Sequence, residues 1–467
     1  MRQHFSSNNM KPLALLATIL VLITGCHKGE KVDFIIHNAV IYTGNDKNET
    51  FEAIAISDGK IVDIGIERYI LNKYRTDDYL DAEKKTIYPG FHCSFSQIVK
   101  NSNAHKGIDL SKCTSVVQVS NVLLREKQLN HVSNILGENL PFSVVDAHGM
   151  LLSKMIDSLF SSEKVMLVGE GKVLVKRAES EEKIGLTDFN PNVVAQYFGS
   201  VNTKTRIASI LEAQESCLQF GITSCDDHSV SIEDLVLVKK LARTKQLKLE
   251  LNLFLSTNDR TAEFAKSVGI NTYKNYWLQG FSDVSSVHQM LQLGLAQTDY
   301  QVTLDALNFK RIDQIDSLNA LLNTLYTRNP DHGWRIKHAQ ELTSNTRKTL
   351  LANGVYLLYT ATNKTSEMID IAKNEGMFSV VSPAENNFWD PFTTYTQLIE
   401  NGLDQNSTLK SVTVWPSYMA KSNNRTGSLE KGKWANLIIT QRPLGTASHD
   451  NYPVYTFIRG KKVFTIK

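Results

Sequence analysis

Apolar and polar positions along this 467-residue chain follow different rhythms in different stretches. Near the start there is no rhythm. Arg2, His4 and Lys11 precede an apolar run from Leu13 to Ile23, which is short for a bilayer span and has the form of an export signal. From Asp33 a period of two takes over. Asp33–Thr43, Phe51–Ile56 and Lys60–Gly65 read as strands, with a turn at Asp58-Gly59. The last forty-odd residues have the same character: Gly427–Ile439 is a turn leading into a strand, and Val454–Ile458 and Lys461–Ile466 make a hairpin around Arg459-Gly460.

The middle alternates between the two periods. Ser231, with Asp234 three residues on, is a helix N-cap signal, and Leu235, Val238, Leu241 and Ala242 follow at helical spacing. Leu247–Leu253 then alternates as a strand. The same order recurs as helix Thr203–Phe220 before strand Ile222–Cys225, Ile312–Tyr326 before Trp334–His338, Ser344–Asn353 before Val355–Thr360, and Ser366–Glu375 before Phe378–Val381. Regular helix–strand alternation implies a parallel sheet, and its length suits a (β/α)8 TIM-like barrel. The expected architecture is therefore α/β. Residues 1–25 form a signal, 26–88 and 425–467 a small composite β-sandwich from both chain ends, and 89–424 a barrel with insertions.

Composition changes this picture little. A net charge of +3 is small at this length and no Lys/Arg-rich run occurs, which argues against a nucleic-acid partner. Cysteine adds more. Leu22-Ile23-Thr24-Gly25-Cys26 resembles a bacterial lipobox, which implies cleavage before Cys26, lipid on its sulfur and a membrane-anchored lipoprotein of the cell envelope, periplasmic or outer-membrane. Cys93, Cys113, Cys217 and Cys225 have no zinc-ligand spacing and are expected as buried free thiols, with a Cys217–Cys225 disulfide the alternative.

Several short segments carry a resemblance. These are Asn38-Ala39-Val40-Ile41-Tyr42-Thr43-Gly44, Asp58-Gly59-Lys60-Ile61-Val62, Tyr88-Pro89-Gly90-Phe91, Gly221-Ile222-Thr223-Ser224, Arg335-Ile336-Lys337-His338-Ala339-Gln340 and Gly427–Asn436. In this order they resemble the amidohydrolase superfamily, in the branch of N-substituted formamide deformylase-like metal-dependent hydrolases. The resemblance implies one or two divalent metals at the C-terminal mouth of the barrel, polarising a carbonyl and activating water. It also implies hydrolysis of non-peptide carbon–nitrogen bonds.

The family's ligand positions carry other residues here. After Pro89-Gly90-Phe91 the family has Asp-x-His-x-His. This chain has Cys93, Phe95 and Gln97, expected on one inward face with His92 on the other. Phe95 has no lone pair, and the Gln97 amide is a poor substitute for imidazole. Gln279 stands where the family has a carboxylatable Lys, Asp305 where it has a His, and Pro383 where it has the proton-shuttling Asp, with Glu385 nearby. His338 matches the remaining histidine, Lys337 replaces the Glu beside it, and His148 matches a substrate-contacting histidine.

These substitutions lead to the expectation of a pseudoenzyme that has lost its metal site and needs no cofactor. It would bind a small ligand through Gln97, His148, Gln279, Asp305 and His338, in a pocket also lined by Cys93, Phe95 and Pro383. The alternative is an active amide hydrolase in which Cys93, Asp305 and His338 hold zinc or another divalent metal, with His338 and Asp305 as candidate catalytic groups. A third reading is a surface interaction scaffold. Partners would be the membrane, through Cys26, and a second copy in a homodimer.

Overall fold

The computed structural model describes residues 29–105, 107–130, 134–144, 150–160, 162–176, 186–188, 191–269, 272–273, 275–309, 311–360, 369, 376–381, 389–446 and 452–466. The signal, Cys26, His148, Pro383, Glu385 and most of the expected helix Ser366–Glu375 lie outside the described residues.

Eight parallel strands form the barrel: β1 Phe91–Ser96, β2 Ile222–Val230, β3 Glu250–Ser256, β4 Tyr276–Ser282, β5 Gln301–Asp305, β6 Arg335–Lys337, β7 Tyr356–Thr360 and β8 Phe378–Val381. They pair in chain order from β1 to β8. Across the seam, Ser94 Oγ donates to Ser379 Oγ at 2.7 Å, tying β1 to β8. The fold is thus an α/β (β/α)8 barrel. Helices return the chain between strands, and their starts are written in the sequence. Ser231 caps helix Ile232–Arg243 in a capping box with Asp234, as its spacing predicts. Asn258 does the same for Asp259–Val268. Leu251, Leu253 and Leu255 of β3 join the apolar layer beneath these helices, while Asn252 and Phe254 reach polar and aromatic partners inside the barrel.

Both chain ends build the sandwich. One sheet joins Lys60–Gly65, Ala53–Ser57, Phe34–His37 and Tyr79–Asp81, and the other runs from the C-terminal hairpin through Leu437–Thr440 to Thr86–Pro89 and Val40–Tyr42. The single strand expected over Asp33–Thr43 is two, because Asn38 at φ 53° turns the chain from one sheet into the other. Between the sheets lie Ile36, Ile41, Ile54, Ile87, Leu437 and Phe457.

The sandwich packs under the N-terminal ends of the barrel strands. A β-carbon on Gly221, just before β2, would meet Ile438 at 2.8 Å, so the positive-φ glycine lets the two layers approach. Glu250 opens β3 and receives Arg459 Nε at 3.0 Å and Asn436 Nδ2 at 3.3 Å. The Arg459 guanidinium lies 3.8 Å over the Trp434 ring, and the Arg425 guanidinium 4.8 Å over Trp277 of β4. Burial pushes the Glu250 carboxyl up to about 7, against the pull of Arg459.

A second sheet, of five strands, interrupts the chain between β1 and β2. It joins Ile108–Asp109, Asn134–Glu138, Lys164–Gly169, Lys172–Lys176 and Leu186–Asp188, with helices Val116–Asn130 and Met150–Leu159. Leu123, Ile135, Leu152, Ile156 and Phe160 give this insertion a core of its own.

Candidate functional site

The barrel interior has two polar levels. The lower one, the floor, centres on Asp226 of β2. Its carboxylate accepts from His92 Nε2 at 2.9 Å and from Asn252 Nδ2 at 2.6 Å, and it pairs with the Arg335 guanidinium. Arg335 also donates to Gln301 Oε1 at 2.6 Å and to the Met419 carbonyl at 2.9 Å. Arg335 and Asp226 are both fully buried. Burial alone would raise the Asp226 carboxyl, yet His92 and Arg335 bring it down to about 2.

His92 therefore faces the barrel interior, and this corrects the expected alternation. Cys93 faces the other way: its thiol contacts Cys225, which in turn contacts Cys217 on helix Thr203–Gln219. The reason is an irregularity. The pairing of β1 with β2 shifts register between Cys93 and Ser96, so counting by twos back from Gln97 crosses a bulge and lands on the wrong face. The neighbouring Cys225 thiol, and then burial, push Cys93 well above its ordinary range, leaving a protonated packing residue. Cys93, Cys113, Cys217 and Cys225 are all buried free thiols.

Gln97 and Gln279 are inside the protein, but their amides are spent on it. Gln97 Nε2 donates to Ser229 Oγ at 2.7 Å, and Gln279 Nε2 donates to the Ala420 carbonyl at 3.2 Å. The Ala420 carbonyl belongs to the segment that Arg335 and Gln301 also grip through Met419. Gln279 thus belongs to the floor and not to a ligand pocket at the mouth.

The upper level, the mouth, is built around a column of π-systems. The His228 ring stacks between Phe95 and Phe254, with centroids 4.5 Å from each. Lys337 Nζ lies 4.6 Å over Phe95 at one end, and the Arg335 guanidinium 4.8 Å over Phe254 at the other. Both ends are cation–π contacts. His228 Nδ1 donates to the Asp226 carbonyl, and its Nε2 accepts from Thr303 Oγ1, each at 2.9 Å. That is the pattern of the neutral ring with its proton on Nδ1. Burial, with Arg335 and Lys337 at the column ends, brings His228 down to about 3.

Beside this column the structure brings Asp305 and His338 together. His338 Nδ1 lies 2.8 Å from Asp305 Oδ1, and Lys337 Nζ lies 3.2 Å from Asp305 Oδ2. Asp305 Oδ1 also accepts from the Leu307 backbone N–H at 3.0 Å, capping the short turn that follows β5. Burial opposes ionisation of Asp305, but the His338 hydrogen bond and the Leu307 N–H outweigh it and hold the carboxyl below its ordinary value. His338 sits at φ 57°, a left-handed conformation uncommon outside glycine, which the surrounding contacts have to sustain. Both side chains remain about one-fifth exposed.

The donor set at these positions does not suit a divalent metal. Phe95 offers π-density instead of a lone pair, Gln97 offers only a neutral amide whose Nε2 is held by Ser229, and the Lys337 ammonium is pinned between Phe95 and Asp305. Cys93 is turned away from the Asp305–His338 pair, so the alternative ligand trio is not assembled. Among the described residues, no three His, Cys, Asp or Glu side chains are grouped to hold a metal ion.

Two residues central to this site, Asp226 and His228, were not singled out from the sequence. Their signal was Asp226-Asp227-His228 lying within a strand buried at every position from Ile222 to Val230. Buried charges need partners, so such a triplet marks an interior network.

No protein-family model and no curated protein sequence matches the chain. Solved structures do. An uncharacterized metal-dependent hydrolase from Pyrococcus horikoshii superposes with a TM-score of 0.69 at 15% identity, over 89% of this chain and 98% of that one. A second, from Pyrococcus furiosus, gives 0.68 at 13% identity, over 88% and 100%. An adenosine deaminase from Xanthomonas campestris with bound zinc gives 0.58 at 13% identity, over 94% of each chain. The chain therefore shares the fold of these metal-dependent hydrolases and of this deaminase.

Proposed function

We propose that the protein is an envelope-anchored member of the amidohydrolase superfamily, close to its formamide deformylase-like branch, that has given up metal-dependent hydrolysis and uses its barrel mouth to bind a small polar ligand. The observation that carries this reading is the column Lys337–Phe95–His228–Phe254–Arg335. It occupies the level where the resemblance requires two imidazole ligands, and it places a fixed ammonium there. Ligand contacts would come from Asp305, Lys337 and His338, which keep a small exposed fraction at the strand ends, because the Gln97 and Gln279 amides each already give an N–H to the protein. The test is elemental analysis of the purified protein after incubation with zinc and bicarbonate. Metal well below one equivalent is expected. A stoichiometric, tightly held metal overturns the reading.

One observation favours a second reading. The Asp305–His338 pair fixes an imidazole by its Nδ1 at the strand ends, an arrangement suited to general-base chemistry. Amide hydrolysis abolished by His338→Ala, with the fold intact by circular dichroism, would establish a hydrolase instead.

A further inference from the structure

The N-terminal side of the sandwich carries an exposed face that neither barrel nor sandwich uses. Helix Glu67–Lys73 buries Ile70 and turns Arg68, Tyr69, Leu71 and Asn72 outward. Tyr69 is 46% exposed and Leu71 37%, and Ile66 at the helix start is 58% exposed. Glu30–Lys31 pairs in parallel with Tyr74–Arg75 directly after this helix. A β-carbon on Gly29 would lie 3.0 Å from the Lys73 carbonyl oxygen, so the chain entering the sandwich is fastened to the helix's C-terminal end.

The distance to Cys26 gives this face its meaning. Three residue steps separate Cys26 from Gly29, and fully extended chain covers at most about 10 Å in that number. Lipid on Cys26 would thus hold Gly29, which abuts the end of helix Glu67–Lys73, within about 10 Å of the acylated residue. A tether this short leaves little room for the domain to stand clear of the bilayer. The outward side chains fit that neighbourhood. Leu71 and Ile66 are apolar, Tyr69 has an apolar ring with a polar tip, and Arg68, Arg75 and Lys31 are exposed cations around them. Asp77 pairs with Lys31 at 3.3 Å and offsets part of that charge.

We infer that the face formed by Ile66, Arg68, Tyr69, Leu71 and Arg75 rests on the bilayer that carries the Cys26 lipid, and so fixes the orientation of the whole protein. This rests on the lipid-anchor reading above.

The experiment uses the full-length, lipid-modified chain in vesicles of phosphatidylethanolamine and phosphatidylglycerol. A fluorophore is placed on Leu71→Cys or, as control, on Ile312→Cys, which is 80% exposed at the start of a barrel helix. The native thiols among the described residues are buried and should stay unlabelled. Quenching by aqueous iodide is expected to be several-fold weaker at position 71 than at 312, and equal at both once detergent dissolves the vesicles. Protein that floats with the vesicles but is quenched equally at both positions overturns the membrane face and leaves the anchor standing. Protein that fails to float overturns both.

Discussion

The floor and the mouth of this barrel are only a few side chains apart, yet they are built on opposite terms. At the floor, Asp226, Arg335, His92, Asn252 and Gln301 hydrogen-bond one another in burial, with only His92 Nδ1 and Arg335 Nε left over, and the Asp226 carboxylate is balanced by the Arg335 guanidinium. At the mouth, Asp305, Lys337 and His338 keep partial exposure, and an aromatic ring stands where a metal ligand is expected. The floor holds the barrel together. The mouth carries the groups that remain in reach of solvent.

The sharpest way to break that contrast is at Arg335. Arg335→Met leaves Asp226 buried without its guanidinium partner, and a loss of about 3–5 kcal/mol in urea unfolding is expected. A loss below about 1 kcal/mol would mean that the floor is no more structural than the mouth. Phe95→Ala removes the ring between His228 and Lys337. Phe95 is half-buried, so a loss of about 2 kcal/mol is expected by the same measurement.

The column also predicts a dependence on pH. His228 has a folded pKa of about 3, below that of an unfolded histidine near 6.5. Acid therefore favours the unfolded chain, and this contribution to stability is lost as pH falls from about 6.5 towards 3. Asp227 and Glu250 act in the other direction. Burial raises them to about 6 and about 7, so their contributions are present at low pH and lost as pH rises through those values. The whole-protein profile mixes the two trends, and a difference measurement separates them. His228→Phe keeps the stack but cannot take up a proton. Relative to the parent, it should gain about 2 kcal/mol between pH 7 and pH 5. An unchanged difference at the two pH values would show that His228 is not held neutral. The smallest effect belongs to Lys337→Met, at about 1 kcal/mol or less, since its ion pair with Asp305 is partly solvated.

Much of the scaffold could be read from local pattern. The helix starting after Ser231, strand Phe378–Val381 and the two-ended sandwich all follow from spacing and turn residues that act over a few positions. What could not be read depends on partners distant in sequence. The inward turn of His92 is set by a bulge in the pairing of β1 with β2, which no count along β1 reveals. Asp226 and Arg335 are 109 residues apart, and nothing near either one announces the other. Gln97 and Gln279 were placed inside the barrel, but the hydroxyl and carbonyl that occupy them lie 132 and 141 residues away. The insertion between β1 and β2 is anticipated only as extra length: its two outer strands, of two and three residues, leave too short a pattern to count, while the hairpin Lys164–Gly169 and Lys172–Lys176 around Glu170-Gly171 carries a readable signal.

The packing of Trp434, Arg459 and Arg425 beneath the barrel has one more consequence. With that end stoppered and the floor tied across by Arg335, the barrel is a cup and not a pipe. Under the proposed function, a ligand would therefore enter and leave by the one opening at the C-terminal ends of the strands.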